Sequence, residues 1–140
     1  MQFLRPGMKS IFFCILISIS LFGFSKHPAK FTLTINYTFK NIEKDYDHLN
    51  KILVYIDGGK SGESKPKKES QANSLQLEIP KGKHEIKIEN WSKYEDQWEL
   101  HNKANDYTID LVNTKNLKIK KDKTINIIYD LDKGIELEIK

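Results

Sequence analysis

From Phe31 to Lys40 the chain alternates without a break: Phe31, Leu33, Ile35, Tyr37 and Phe39 are apolar, and the residues between and after them are Thr32, Thr34, Asn36, Thr38 and Lys40. Successive side chains leave a strand on opposite sides, so this period of two specifies a strand with one buried face. Such a face needs a second apolar layer, which the rest of the chain has to supply.

The downstream sequence supplies it in the same form. Ile52, Val54 and Ile56 continue the pattern, with Leu53 and Tyr55 apolar on the other parity, which predicts an interior strand covered on both sides. Leu75, Leu77 and Ile79 precede Pro80-Lys81-Gly82, and His84, Ile86 and Ile88 follow it, a pattern that predicts a hairpin with Gly82 at positive φ. Trp98 and Leu100 could share a strand face; Tyr107, Ile109 and Leu111, then Leu117 and Ile119, then Ile125, Ile127, Tyr129 and Leu131 read as further strands. Asp132-Lys133-Gly134 turns the chain back into Ile135, Leu137 and Ile139. With no convincing helix, the expected fold is all-β, a single antiparallel β-sandwich of about 7–9 strands. Residues 41–51 read as a connecting loop. Residues 58–73, polar and rich in glycine and lysine, read as a mobile loop that buries too little to offset its ordering entropy.

The amino terminus reads as a signal peptide. Arg5 and Lys9 precede an apolar run from Ile11 to Phe24, and Gly23 and Ser25 are the small residues that a signal peptidase accepts before a cut at Lys26. The run is shorter than the roughly 20 residues that span a bilayer, so residues 1–25 are expected to be removed and residues 26–140 to form the domain. The only cysteine, Cys14, lies inside that run, so the domain holds no disulfide. Of the 23 basic residues Arg5 and Lys9 belong to the leader, which leaves 21 against 19 acidic ones. That balance, without a basic stripe interleaved with aromatics, gives no nucleic-acid footprint.

Val54 to Ser64 reads VYIDGGKSGES, and Leu77 to Ile88 reads LEIPKGKHEIKI. With Asp57, Gly58, Gly62, Ser64, Gly82 and His84 in matching places, the stretch Ile52 to Tyr94 resembles the PEGA domain, a small β-sandwich of exported prokaryotic proteins. Pro66 stands one residue late, and Lys93-Tyr94 replaces a common Gly-Tyr. The resemblance implies a non-catalytic envelope or surface module that contacts proteins or glycans, and it carries over no catalytic residue.

The residues themselves offer little chemistry. His27, His48, His84 and His101 are dispersed, and none has the spacing of a paired metal ligand. No catalytic residue, metal site or cofactor is expected. The positive hint is Trp91, Tyr94 and Trp98, three aromatics within eight residues. Their flat apolar faces could stack on sugar rings as a binding platform. The competing reading is that they plug an end of the sandwich, as large aromatics commonly do. Trp98 shares parity with Leu100 and is the one expected inside, whereas Trp91, just past the strand end at Asn90, is expected at the surface. The functional expectation is therefore an exported interaction module, periplasmic, surface-bound or secreted, whose partner is an envelope protein or a glycan. The alternative is a carbohydrate-binding module, and the membrane is met only transiently, through the signal peptide.

Overall fold

The structure, a computed structural model, describes residues 27–140. The expected signal peptide and the cut before Lys26 lie outside the described residues. Ten strands follow in order: β1 (Lys30–Lys40), β2 (Leu49–Ile56), β3 (Gly59–Glu63), the two-residue β4 (Lys67–Lys68), β5 (Asn73–Pro80), β6 (Gly82–Tyr94), β7 (Gln97–Leu100), β8 (Val112–Ile119), β9 (Lys123–Asp130) and β10 (Gly134–Ile139). A short 3₁₀ turn, Lys103–Asn105, interrupts the β7–β8 connection.

The strands form two sheets packed as a β-sandwich. One has four strands in the order β10-β9-β1-β5; the other has six, with β3 and β4 both beside β2, and β7 and β8 both beside β6. The chain passes from the first sheet to the second twice and returns twice, so each sheet supplies the partner that the alternating face of the other requires. Leu33, Ile35 and Tyr37 of β1 and Ile125, Ile127 and Tyr129 of β9 meet Ile52, Val54, Ile86 and Ile88 across the interface, all of them buried. One pairing departs from the antiparallel expectation, because β1 and β9 run parallel from Leu33↔Lys123 to Lys40↔Asp130. Strands brought together by a long crossover have that freedom, whereas hairpin partners do not.

Three expected features take a different form. The apolar blocks around Pro80-Lys81-Gly82 do not make a hairpin: β5 pairs with β1 in one sheet and β6 with β2, β7 and β8 in the other. Lys81 alone links them, its N–H bonded to Ala29 O at 2.7 Å, and Gly82 takes φ 151° as the chain changes sheets. Residues 58–73 are not a loose loop. They contain β3 and β4, and Ser64 is buried, its Oγ 2.8 Å from the Tyr37 hydroxyl and accepting the Ile52 N–H at 3.0 Å. Polar bonding orders this segment where apolar burial could not. Finally, Tyr107, Ile109 and Leu111 lie in a connection and not in a strand, although Leu111 is fully buried and Ile109 packs against the core.

Two β-hairpins of the six-stranded sheet close through two-residue turns with positive φ at both positions, Asp57-Gly58 (52° and 82°) and Glu95-Asp96 (45° and 63°). That is the turn whose twist matches the flanking strands.

Candidate functional site

Alternation sorts the six-stranded sheet into two faces. Even-numbered residues of β2 and β6, among them Ile52, Val54, Ile86 and Ile88, face the core. The odd-numbered ones, with their partners on β7 and β8, form the outer face. Lys51 lies opposite Trp91, which lies opposite Leu100; Leu53 lies opposite Glu89, and Glu89 opposite Val112; Trp98 lies opposite Lys93. No described element covers this face, so the apolar odd positions of β2 are not covered on both sides as expected. Leu53 is nevertheless only 9% exposed, because the long side chains around it close over it.

The outer face binds itself together. Lys51 Nζ stands 4.6 Å from the Trp98 ring centre and Lys87 Nζ 4.6 Å from that of Tyr55. Lys51 also pairs with Glu63 at 3.3 Å, and Lys87 with Glu89 at 2.8 Å. The Trp91 indole N–H donates to Glu89 at 3.1 Å. Burial pushes the Glu89 carboxyl up, but the bonds from Lys87 and Trp91 outweigh it and hold the group below the usual carboxylate range.

The three aromatics expected to share a platform do not share a face. Trp91 and Trp98 lie together on the outer side, both half-buried and neither in the core. Trp98 is therefore not the interior plug its parity with Leu100 implied, since Leu100 is itself on the outer face. Trp91 does not follow a strand end, because β6 continues to Tyr94. Tyr94 has the other parity and, 48% exposed, meets the His48 ring edge-on at 6.0 Å. Sequence reasoning missed Leu53, Tyr55, Lys51, Glu89 and Val112 as members of the same face. The signal was present in the doubly apolar β2, read there as burial.

The outer face of the four-stranded sheet is different in kind. Thr34, Asn36, Gln76 and Asn126 project from it, with Asn36 bonded to Asn126 at 3.0 Å. Apart from the half-buried Ile128 it carries hydroxyls, amides and charged groups, where the other carries indoles and several aliphatic chains.

A buried polar knot sits at the end of the sandwich where β6 meets β7. Ser92 Oγ lies 3.1 Å from His101 Nδ1, His101 stacks on Tyr107 with ring centres 3.9 Å apart, and Glu69 also bonds Ser92. Burial lowers His101 to about 4. Burial, reinforced by the charge of Asp47, raises Glu69 to about 7. A serine beside a histidine has the composition of a nucleophile and base, but Ser92 is fully buried and a substrate has no route to it. Among the described residues no group of three His, Cys, Asp or Glu side chains could hold a metal ion.

No family model matches the chain, and no curated protein matches it. Among solved structures it aligns with the crystal structure of cytotoxin protein suilysin from Streptococcus suis at 11% identity and a TM-score of 0.36, over 81% of this chain and 23% of that one.

Proposed function

We propose that the protein is an exported, non-catalytic interaction module of PEGA-like type, from the cell envelope or surface, that docks a partner protein on the outer face of its six-stranded sheet. The observation that carries this reading is the contrast between the two outer faces. Both face solvent, yet one is an ordinary polar sheet surface and the other gathers Trp91, Trp98, Tyr55, Leu53, Leu100 and Val112 inside a frame of paired lysines and glutamates. Apolar centre and charged rim are the anatomy of a protein interface, and tryptophan and tyrosine are its usual anchors. Photo-cross-linking in the producing cells tests it, with the reactive group at Lys93 or Val112 on one face and at Thr34 or Gln76 on the other. A discrete partner band from the first pair alone is the expected result, and bands from both faces or from neither overturn the reading. Intact mass of the exported chain checks the cut before Lys26.

Carbohydrate binding is the second reading, favoured by the presence of Trp91 and Trp98 on one face. A sugar stacking on Trp98 has to compete with Lys51 for that ring. Quenching of tryptophan fluorescence by a soluble polysaccharide, lost in Trp91→Ala, would establish it over the protein partner.

A further inference from the structure

Two sheet-to-sheet crossovers bring a set of cations to one end of the sandwich. Lys81 and Lys83 flank the β5–β6 crossover, and Lys118, Lys120, Lys121 and Lys123 flank the β8–β9 one. Sheet register places the two groups together, since Lys83 stands directly opposite Lys118. Five of the six are exposed and Lys123 is half-buried. None forms an ion pair with a described residue. The acidic side chains toward this end are Asp57, Glu78, Glu85, Asp122 and Glu138; Asp57 is engaged by His84, Glu78 by Lys30 and Glu138 by Lys140, and Asp122 accepts the Thr32 N–H at 2.8 Å. Like charges directly opposite on neighbouring strands destabilise a sheet, so folding alone gives no reason for the arrangement.

The far end is mixed in sign. Glu43, Asp45, Glu95, Asp96 and Asp106 are exposed there beside the equally exposed Lys44, Lys67, Lys68, Lys103 and Lys133. The crossover end is thus the more positive of the two, while the net charge of the domain stays small. The described chain also begins at the lysine end: Ala29 O holds the Lys81 N–H, and β1 starts at Lys30.

We propose that the lysine end docks on the anionic headgroups of a membrane surface, with the opposite, mixed-charge end directed away from the lipid. Several lysines on one blunt end enter the surface potential together, within a Debye length of about 8–10 Å. The same potential draws the mixed-charge far end less strongly, and that difference favours the orientation. A membrane fits better than a nucleic acid, because the end offers no arginine for bidentate contacts and no stacking aromatic. This surface is separate from the aromatic face, so either proposal can fail alone.

Sedimentation of the exported chain with lipid vesicles is the test. It should pellet with vesicles of phosphatidylcholine mixed with phosphatidylglycerol and stay in solution with phosphatidylcholine alone. Binding should weaken about tenfold or more on passing from low to high salt. The triple variant Lys83→Glu, Lys120→Glu, Lys121→Glu should lose about tenfold or more in affinity. Lys44→Glu, Lys103→Glu, Lys133→Glu, the same charge change at the far end, should lose no more than about twofold. The milder Lys83→Gln, Lys120→Gln, Lys121→Gln, checked by circular dichroism, guards against a folding defect. Failure to bind anionic vesicles, equal losses in the two triple variants, or capture of duplex DNA in place of vesicles overturns the proposal. Cross-links from Lys93 or Val112 should persist in the lysine-end variants, which separates this outcome from that of the aromatic face.

Discussion

Asp57 and His84 are joined across the edge of the six-stranded sheet, Oδ2 to Nδ1 at 2.7 Å, and the pair ties the β2–β3 turn to the β5–β6 crossover. The other imidazole nitrogen lies 2.9 Å from Pro80 O, and Asp57 Oδ1 accepts the Glu85 N–H at 2.9 Å. The bond to His84, then that from Glu85, holds the Asp57 carboxyl below the usual carboxylate range. A group whose pKa is depressed by folding contributes stability above its unfolded value and loses it as pH falls through the folded one. Acid unfolding of the wild type should therefore begin below pH about 4. In Asp57→Asn that limb should be shallower while the melting temperature at neutral pH falls; an unchanged acid limb would show that Asp57 does not couple to folding.

Gly82 belongs to the same junction. At φ 151° any side chain is strained, and a Cβ there would lie 3.3 Å from His84 Nε2. Gly82→Val should cost on the order of 1–3 kcal/mol in urea unfolding. A neutral result would mean that the crossover relaxes freely.

Tyr37 and Tyr129 stand edge to face with ring centres 6.0 Å apart, yet their hydroxyls fare differently. Tyr37 accepts from Asn73 Nδ2 at 2.7 Å and meets Ser64, whereas the buried Tyr129 hydroxyl has no partner among the described residues. A buried donor without an acceptor carries its desolvation cost uncompensated. Tyr129→Phe should therefore raise stability by about 1 kcal/mol, and Tyr37→Phe should lower it by about 1–2 kcal/mol because two buried partners lose their bond. Denaturant midpoints at equal m-value decide both signs.

Glu69 and His101 shift in opposite directions inside one knot. Ser92 bonds both; Asp47 and Tyr107 face Glu69, while His48 faces His101. Glu69, raised to about 7, contributes stability that is complete below its unfolded value and lost as pH rises toward 7. His101, lowered to about 4, contributes stability that is complete above its unfolded value and lost as pH falls toward 4. Between the two unfolded values, roughly pH 4.5 to 6.5, the slopes cancel. Wild-type stability should be nearly flat across that window. Glu69→Gln should rise with pH there and His101→Gln should fall, each by on the order of 2 kcal/mol. Parallel curves for all three proteins would mean that neither group titrates with folding.

The strands were legible where one parity is apolar and the other polar, as in β1 and β10 and, but for Ile128, in β9, because a single buried face leaves one solution. The partner of a strand was not. Leu75–Ile79 and His84–Ile88 have the pattern of a hairpin, but whether a short connection folds back within a sheet or crosses to another depends on what covers each face, which local sequence does not record. Residues 58–73 failed for another reason: Ser64, Glu69 and Asn73 are polar residues buried by specific bonds, and composition counts them as solvent-facing. Trp91 and Trp98 were found, but Tyr94 was grouped with them by proximity in sequence, and alternation along β6 separates it.

The Glu95-Asp96 turn offers the last prediction. Both residues hold positive φ, 45° and 63°, between the paired Tyr94 and Gln97. The left-handed region costs an L-residue roughly 1–2 kcal/mol, and glutamate has no short side chain with which to offset it. The sister turn uses Asp57-Gly58 for the same conformation, so the chain already contains the favoured solution at one of the two sites. Replacing Glu95-Asp96 by Asn-Gly removes strain at both positions. It also removes the Lys93–Asp96 pair at 3.0 Å, but Asp96 is 94% exposed and such pairs contribute at most about 1 kcal/mol. The double variant should gain about 1 kcal/mol net, read as a higher urea midpoint at unchanged slope. Since Trp91 and Trp98 flank this turn on the outer face, the same variant should leave cross-links from Val112 intact. A gain in stability accompanied by loss of those cross-links would mean that Glu95 or Asp96 contacts the partner directly.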